Sequence, residues 1–133
     1  MELGGNEAVI RLTVTRGSGP RGLLPPQDCH PTVLITASPF AKAAKDEGLI
    51  LATSKRVRRN PWSIAGKVKS LNYLDNIAAR QEVAACGAEE ALVLSVDGSV
   101  AETTIANLFG IRDNTFYTAP AKCGILAGLA REF

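Results

Sequence analysis

An α+β fold with a mostly antiparallel sheet is what this sequence predicts, and three observations predict it. Apolar and polar residues alternate in "AVIRLTVTRG", the period of a strand with one buried face. Over residues 71–86 the apolar positions Leu71, Leu74, Ile77, Ala78, Ala84 and Ala85 recur at helical spacing, and Gly87 stands where a helix C-cap would. Beyond that helix, Asp97-Gly98 and Asp113-Asn114 sit between short apolar runs, as hairpin turns do. With 133 residues, 46% of them apolar, the chain is long enough for a modest core.

Taken in order, Ile10, Leu12 and Val14 alternate with Arg11, Thr13 and Thr15 in the first strand. The Gly- and Pro-rich "GSGPRGLLPPQDCHP" reads as a loop, and "TVLITA" resumes strand composition, so the two strands are expected to pair as a long-looped hairpin. "SPFAKAAKDEG" is small and polar, a connection with a helical turn, before "LILATSKRVRR" returns to strand character. A strand is expected to end at Lys67-Val68. The helix after it is expected to pack Leu74, Ile77, Ala78 and Ala85 against a sheet built from residues 91–96 and 107–117.

Composition excludes several classes of function. The net charge is +2, and the basic cluster "SKRVRRN", residues 54–60, reads as an exposed strand and loop rather than a polyanion site, although it could help attract an anionic small molecule. Neither nucleic acid nor a membrane is an expected partner. Cys29, Cys86 and Cys123 are widely spaced and lack CxxC pairing, which argues against a disulfide framework or a zinc site, and no metal is expected. No apolar run approaches the ~20 residues of a membrane span, and "MELGGNEAVI" has neither the basic start nor the apolar core of a signal peptide. A cytoplasmic location is expected by default. His30 sits in a Pro-rich loop with no Ser, Cys or Asp constellation around it in sequence, and reads as an exposed loop residue.

Three separate motifs carry chemistry. Lys69 in "VKSLNYLDN" stands between the presumed strand end and the helix start, a junction at which two rigid elements can aim a side chain into a cleft. "ETTIANLF" begins at Glu102, and "GILAGLAR" begins at Gly124. Taken singly, each has a plain alternative: a solvated lysine, a surface glutamate on a hairpin strand, and a Gly-rich connection into a helix. Together and in this order, residues 69–132 closely resemble the core of the class IV, fold-type IV pyridoxal phosphate enzymes. That family includes the branched-chain and D-amino acid aminotransferases and aminodeoxychorismate lyase.

The resemblance implies pyridoxal 5′-phosphate as cofactor and Lys69 as the catalytic lysine that forms the Schiff base with it. An amine must be neutral to attack an aldehyde, so such a lysine needs a site where desolvation or neighbouring charge lowers its pKa. Glu102 matches the glutamate that faces the pyridine nitrogen, and Leu126 the leucine that packs on the ring. Gly128, Leu129 and Ala130 match the turn whose amides reach the phosphate at a helix start. Ala130 stands where the family pattern has threonine, which removes one hydroxyl contact. Tyr73 falls near a tyrosine that approaches the phenolic oxygen, and Asn107 is read as stabilising the local backbone.

The resemblance also implies an organisation. Residues 1–54 correspond to the remnant of a small α/β N-terminal domain and the interdomain linker. Residues 55–133 correspond to part of the larger C-terminal cofactor domain, its helix and antiparallel β-meander, truncated at both ends. The arginine that grips the phosphate from the N-terminal domain has no visible counterpart. The implied activity is transfer of an amino group between an amino acid and a 2-oxo acid. The alternatives are the lyase reaction on aminodeoxychorismate, which serves 4-aminobenzoate and folate synthesis, and a non-catalytic remnant. Uncovered sheet edges and the family's dimeric habit imply association as a homodimer or with a complementary segment.

Overall fold

The computed structural model describes residues 7–40 and 48–131, which fall into two compact units, Met1–Asp46 and Glu47–Phe133. The first unit is an antiparallel hairpin of β1 (Ala8–Thr15) and β2 (Thr32–Pro39), in unbroken register from Ala8 opposite Pro39 to Thr15 opposite Thr32. The strands lie where alternation places them, but the expected buried face does not form. Ile10, Leu12, Val14, Val33 and Ile35 are all exposed, because a two-stranded ribbon has no second layer to cover it. Of the connection "SPFAKAAKDEG", residues 41–47 lie outside the described residues.

The second unit holds β3 (Leu51–Arg59), α1 (Ile64–Lys67), α2 (Leu74–Ala84), β4 (Glu90–Ser95), β5 (Val100–Thr103), β6 (Phe109–Arg112) and β7 (Thr115–Thr118). Single 3-10 turns follow at Ala121–Cys123 and Leu129–Arg131. The architecture is α+β with open sheets. Strands β3, β4 and β5 form one sheet in that order, and β6 and β7 form a separate hairpin. Pairs β4–β5 and β6–β7 are antiparallel as expected, but β3 runs parallel to β4, because α2 makes the crossover that a parallel pair requires. The second half is therefore not one continuous meander. The two units divide at Asp46, ahead of the expected 54/55 boundary, which would cut β3 between its paired residues Thr53 and Arg58.

The turns follow local chemistry. Asp113 and Asn114 both take positive φ, 50° and 57°, as the central residues of a type I′ hairpin turn do. The turn at Asp97-Gly98 is closed by the Gly98 N–H on the Ser95 carbonyl at 2.9 Å. Lys67 and Val68 do not end a strand. Ser63 leads into the short helix α1, and Val68 is its extended C-terminal flank.

The main helix is shorter than residues 71–86 and turned from the expected face. Ala79 and Val83 are the buried residues of α2; Leu74 and Ile77 are 72% and 51% exposed, and Ala85 is also exposed. Ala78 packs only at the margin of a core made of Val57, Ala79, Val83, Ala88, Ala91 and Val93. Polar requirements explain the rotation. Glu82 accepts bonds from Ser54 Oγ at 2.6 Å and from the Lys55 and Arg56 amides at 3.0 and 3.3 Å. Those amides lie where the β3–β4 register breaks, between Thr53 and Arg58, so they lose ladder partners that Glu82 replaces. Nearly two turns earlier, Asn76 donates to the Thr104 carbonyl at 2.8 Å. The helix thus presents Asn76, Ala79, Glu82 and Val83 to the sheet, and its larger apolar residues face out.

Val83→Ala is expected to destabilise the protein by about 1.5–3 kcal/mol in urea unfolding, whereas Leu74→Ala should change it by less than about 0.5 kcal/mol. The reverse order would restore the expected face. Bonds to Ser54 and the two amides hold the Glu82 carboxyl below its ordinary value of 4.5. Its stabilising effect is therefore fully present above that value and is lost as pH falls through the depressed one. Acid unfolding of Glu82→Gln should show a shallower loss of stability over that window than the parent protein.

Candidate functional site

A cleft of about 380 Å³ opens in the second unit, between the end of β3, the segment joining α1 to α2, the end of β5 and the loop before the last 3-10 turn. Its walls include Lys69, Tyr73, Glu102, Leu126 and Gly128, residues drawn from three distant stretches of sequence. Lys69 is exposed on the connection between α1 and α2, and Tyr73 is half-buried just before α2. Leu129 and Ala130 are exposed in the 3-10 turn after Gly128 and are not among the lining residues. Lys67 also stands outside the cleft wall.

Glu102 is the most elaborately held of these residues. Its side chain is 8% exposed at the end of β5. The Thr103–Ala106 turn, closed by the Thr103 amide on the Ala106 carbonyl at 2.9 Å, folds the chain back so that Asn107 lies opposite Glu102. Asn107 Nδ2 donates to Glu102 Oε2 at 3.1 Å and to the Leu126 carbonyl at 2.9 Å. The Leu126 N–H donates to the same Oε2 at 3.3 Å. On the other oxygen, Arg59 Nε lies 2.8 Å from Oε1. Burial raises the Glu102 carboxyl above the ordinary range, with Arg59, the Leu126 amide and Arg131 pulling the other way.

Two glycines let the last loop reach this carboxylate. Gly124 has φ 81°, and a Cβ there would lie 2.7–2.8 Å from the Asn60–Pro61 backbone at the end of β3. A Cβ on Gly128 would strike Asn107 Oδ1. Asn107 thus joins Glu102, Leu126 and the Gly128 approach, a wider role than stabilising its own backbone.

Arg59 is the residue that sequence reasoning missed. The cluster "SKRVRRN" was expected to be exposed, yet Ser54 and Val57 are buried and the Arg59 side chain is only 11% exposed. Arg59 Nη1 donates to Asn76 Oδ1 at 2.8 Å and Nη2 to the Thr103 carbonyl at 3.4 Å. No local pattern announces this contact, because Arg59 and Glu102 meet across β4 through the sheet order alone. Among the described residues no group of three or more His, Cys, Asp or Glu gathers as a metal site, and no helix is long and apolar enough to cross a membrane.

Removing Asn107 takes donors from both a buried carboxylate and a carbonyl. Asn107→Ala is therefore expected to cost about 1–3 kcal/mol in thermal or urea unfolding. It should also speed proteolytic cleavage between Leu126 and Arg131, and unchanged stability and cleavage would contradict the interlock.

The sequence pattern of the family described as amino-transferase class IV matches residues 2–133. Aminodeoxychorismate lyase of Bacillus subtilis is 33% identical over 129 residues, covering 95% of this chain and 43% of the lyase. D-alanine aminotransferase of Bacillus licheniformis is 33% identical over 124 residues, covering 92% of this chain and 42% of that enzyme. The crystal structure of Escherichia coli branched-chain amino acid aminotransferase superposes with a TM-score of 0.85 at 28% identity, over 94% of this chain and 43% of that one. The chain spans less than half the length of these relatives. With its α+β architecture, its cleft and a family match over nearly every residue, the chain belongs to the class IV aminotransferase family, of fold type IV.

Proposed function

We propose that this chain carries the cofactor cleft of a pyridoxal 5′-phosphate-dependent enzyme that moves an amino group between an amino acid and a 2-oxo acid, with Lys69 as the residue to which the cofactor attaches. The observation that carries this reading is the gathering of Lys69, Tyr73, Glu102, Leu126 and Gly128 on one cleft. The donor set suits the cofactor. Glu102 offers a buried carboxylate to a ring nitrogen, Leu126 an apolar side chain to the ring face, and Tyr73 a phenol to the ring oxygen. Gly128, with the amides of Leu129 and Ala130, serves the phosphate end.

When bound, the cofactor supplies an electron sink for a carbanion at the substrate Cα. Lys69 would then serve as base and acid, holding and moving the proton of the substrate Cα. Its place on a short connection between two helices gives the amine reach into the cleft while the backbone on either side is fixed. Ala130 brings no hydroxyl to the phosphate, so cofactor retention is expected to be weak.

Similarity to the Bacillus subtilis lyase favours a second reading, release of pyruvate from aminodeoxychorismate on the same cleft. A non-catalytic remnant is the reading from a different class. Association as a homodimer or with a complementary segment belongs to the proposal. Its support is the apolar residues exposed on both strands of the β1–β2 hairpin.

Incubation with pyridoxal 5′-phosphate followed by borohydride reduction should label Lys69 in preference to every other lysine, including Lys67, as read by peptide mass spectrometry. Lys69→Ala should abolish that preference. Labelling spread evenly over exposed lysines would reject Lys69 and leave the remnant reading. Pyruvate release from aminodeoxychorismate, without transfer to a 2-oxo acid, would select the lyase.

A further inference from the structure

A carboxylate has about four acceptor positions. In Glu102, Asn107 Nδ2 and the Leu126 amide occupy two on Oε2, and Arg59 Nε faces Oε1 at 2.8 Å. Arg59 Nε pairs with Oε1 by charge and makes no hydrogen bond of its own, so Oε1 keeps acceptor capacity for an N–H donor. A buried carboxylate without a cation would take up a proton, and a neutral acid would offer a ring nitrogen far less than an anion does.

The charged groups around Glu102 do not contribute equally. Arg59 from β3 is in direct contact, and Arg131 of the last 3-10 turn acts at longer range. Arg58 turns back, its Nη1 donating to the Ser54 and Val57 carbonyls. Glu90 on β4 is engaged by the Thr104 hydroxyl and amide. Lys69 and Asp75 stand elsewhere on the cleft wall, and Tyr73 with them. Arg59 is itself fixed at both Nη atoms by Asn76 of α2 and the Thr103 carbonyl.

We propose that Arg59 is a positioning residue that keeps Glu102 an aimed anion, so that Glu102 meets a protonated heterocyclic nitrogen as a carboxylate rather than as a neutral acid. This inference rests on the reading of the cleft as a pyridoxal phosphate site. Helix α2 enters through Asn76, which holds the guanidinium on one side and the Thr104 carbonyl on the other. The charge at the cleft is therefore set by an arginine two strands away in the sheet, reaching Glu102 across β4.

The test uses the whole 133-residue protein with ¹³C-labelled glutamate side chains and no added cofactor, with Glu102→Gln assigning the Glu102 signal. In the parent protein Glu102 is expected to be ionised at neutral pH. Arg59→Met should move its titration to higher pH, and Arg59→Lys, which restores the charge without the fork, should bring it part of the way back. Pyridoxal 5′-phosphate binding by Arg59→Met should weaken about tenfold, the worth of one charge-assisted hydrogen bond. A Glu102 titration that is the same in Arg59→Met and the parent would overturn the inference, as would a protonated Glu102 in the parent at neutral pH. If Arg59→Met does not fold, the ionisation state of the parent decides. Failure of Lys69 labelling alongside a shifted Glu102 titration would reject the cofactor reading and leave the Arg59–Glu102 coupling standing.

Discussion

A buried carboxylate at the end of a short strand organises the second unit. Glu102 has too little contact with water to stand alone as an anion, so its neighbours must supply donors and charge. Those neighbours come from every part of the unit: Arg59 from β3, Asn107 from the turn after β5, and the Leu126 amide from the loop after β7. Meeting that demand fixes the end of β3, folds the Thr103–Ala106 turn, and pins the Leu126–Gly128 loop against the cleft. The site and the scaffold are therefore one polar network, in which a partly satisfied state would be costly.

Helix α2 shows the same priority of polar satisfaction over apolar area. Turning Leu74 and Ile77 inward would bury more hydrocarbon, but it would take Asn76 from Arg59 and Glu82 from the unpaired amides of β3. The lost bonds would leave the buried Ser54 and the half-buried Arg59 without those partners. Small residues at Ala79 and an adjacent Val83 let the helix lie close enough for those bonds. The helix thus serves β3 twice, once at its irregular middle and once at the arginine that ends it.

Much of the local structure was legible from residues close in sequence. The β1 and β2 strands, the Asp113-Asn114 turn and the Asp97-Gly98 turn follow from alternation and from the φ values that those residues tolerate. The motif residues Lys69, Glu102, Leu126 and Gly128 line one cleft, whereas Leu129 and Ala130 of the same motifs do not. The helix ends and face do not follow from the apolar pattern, because the largest apolar side chains, Leu74 and Ile77, are not the buried ones. The short helix α1 was missed because "SIAGK" is too brief to show a period.

By itself, then, the sequence determined most of the strands, the existence of the main helix and the two hairpin turns, and it set Lys69 and Glu102 in motifs of their own. The parallel pairing of β3 with β4 belongs to tertiary structure alone, because it depends on how α2 crosses over the sheet. So does the conversion of Arg59 from an expected solvated charge into the partner of Glu102. Local periodicity reports the faces of one element at a time, whereas an ion pair across an intervening strand depends on sheet order, which no local pattern encodes.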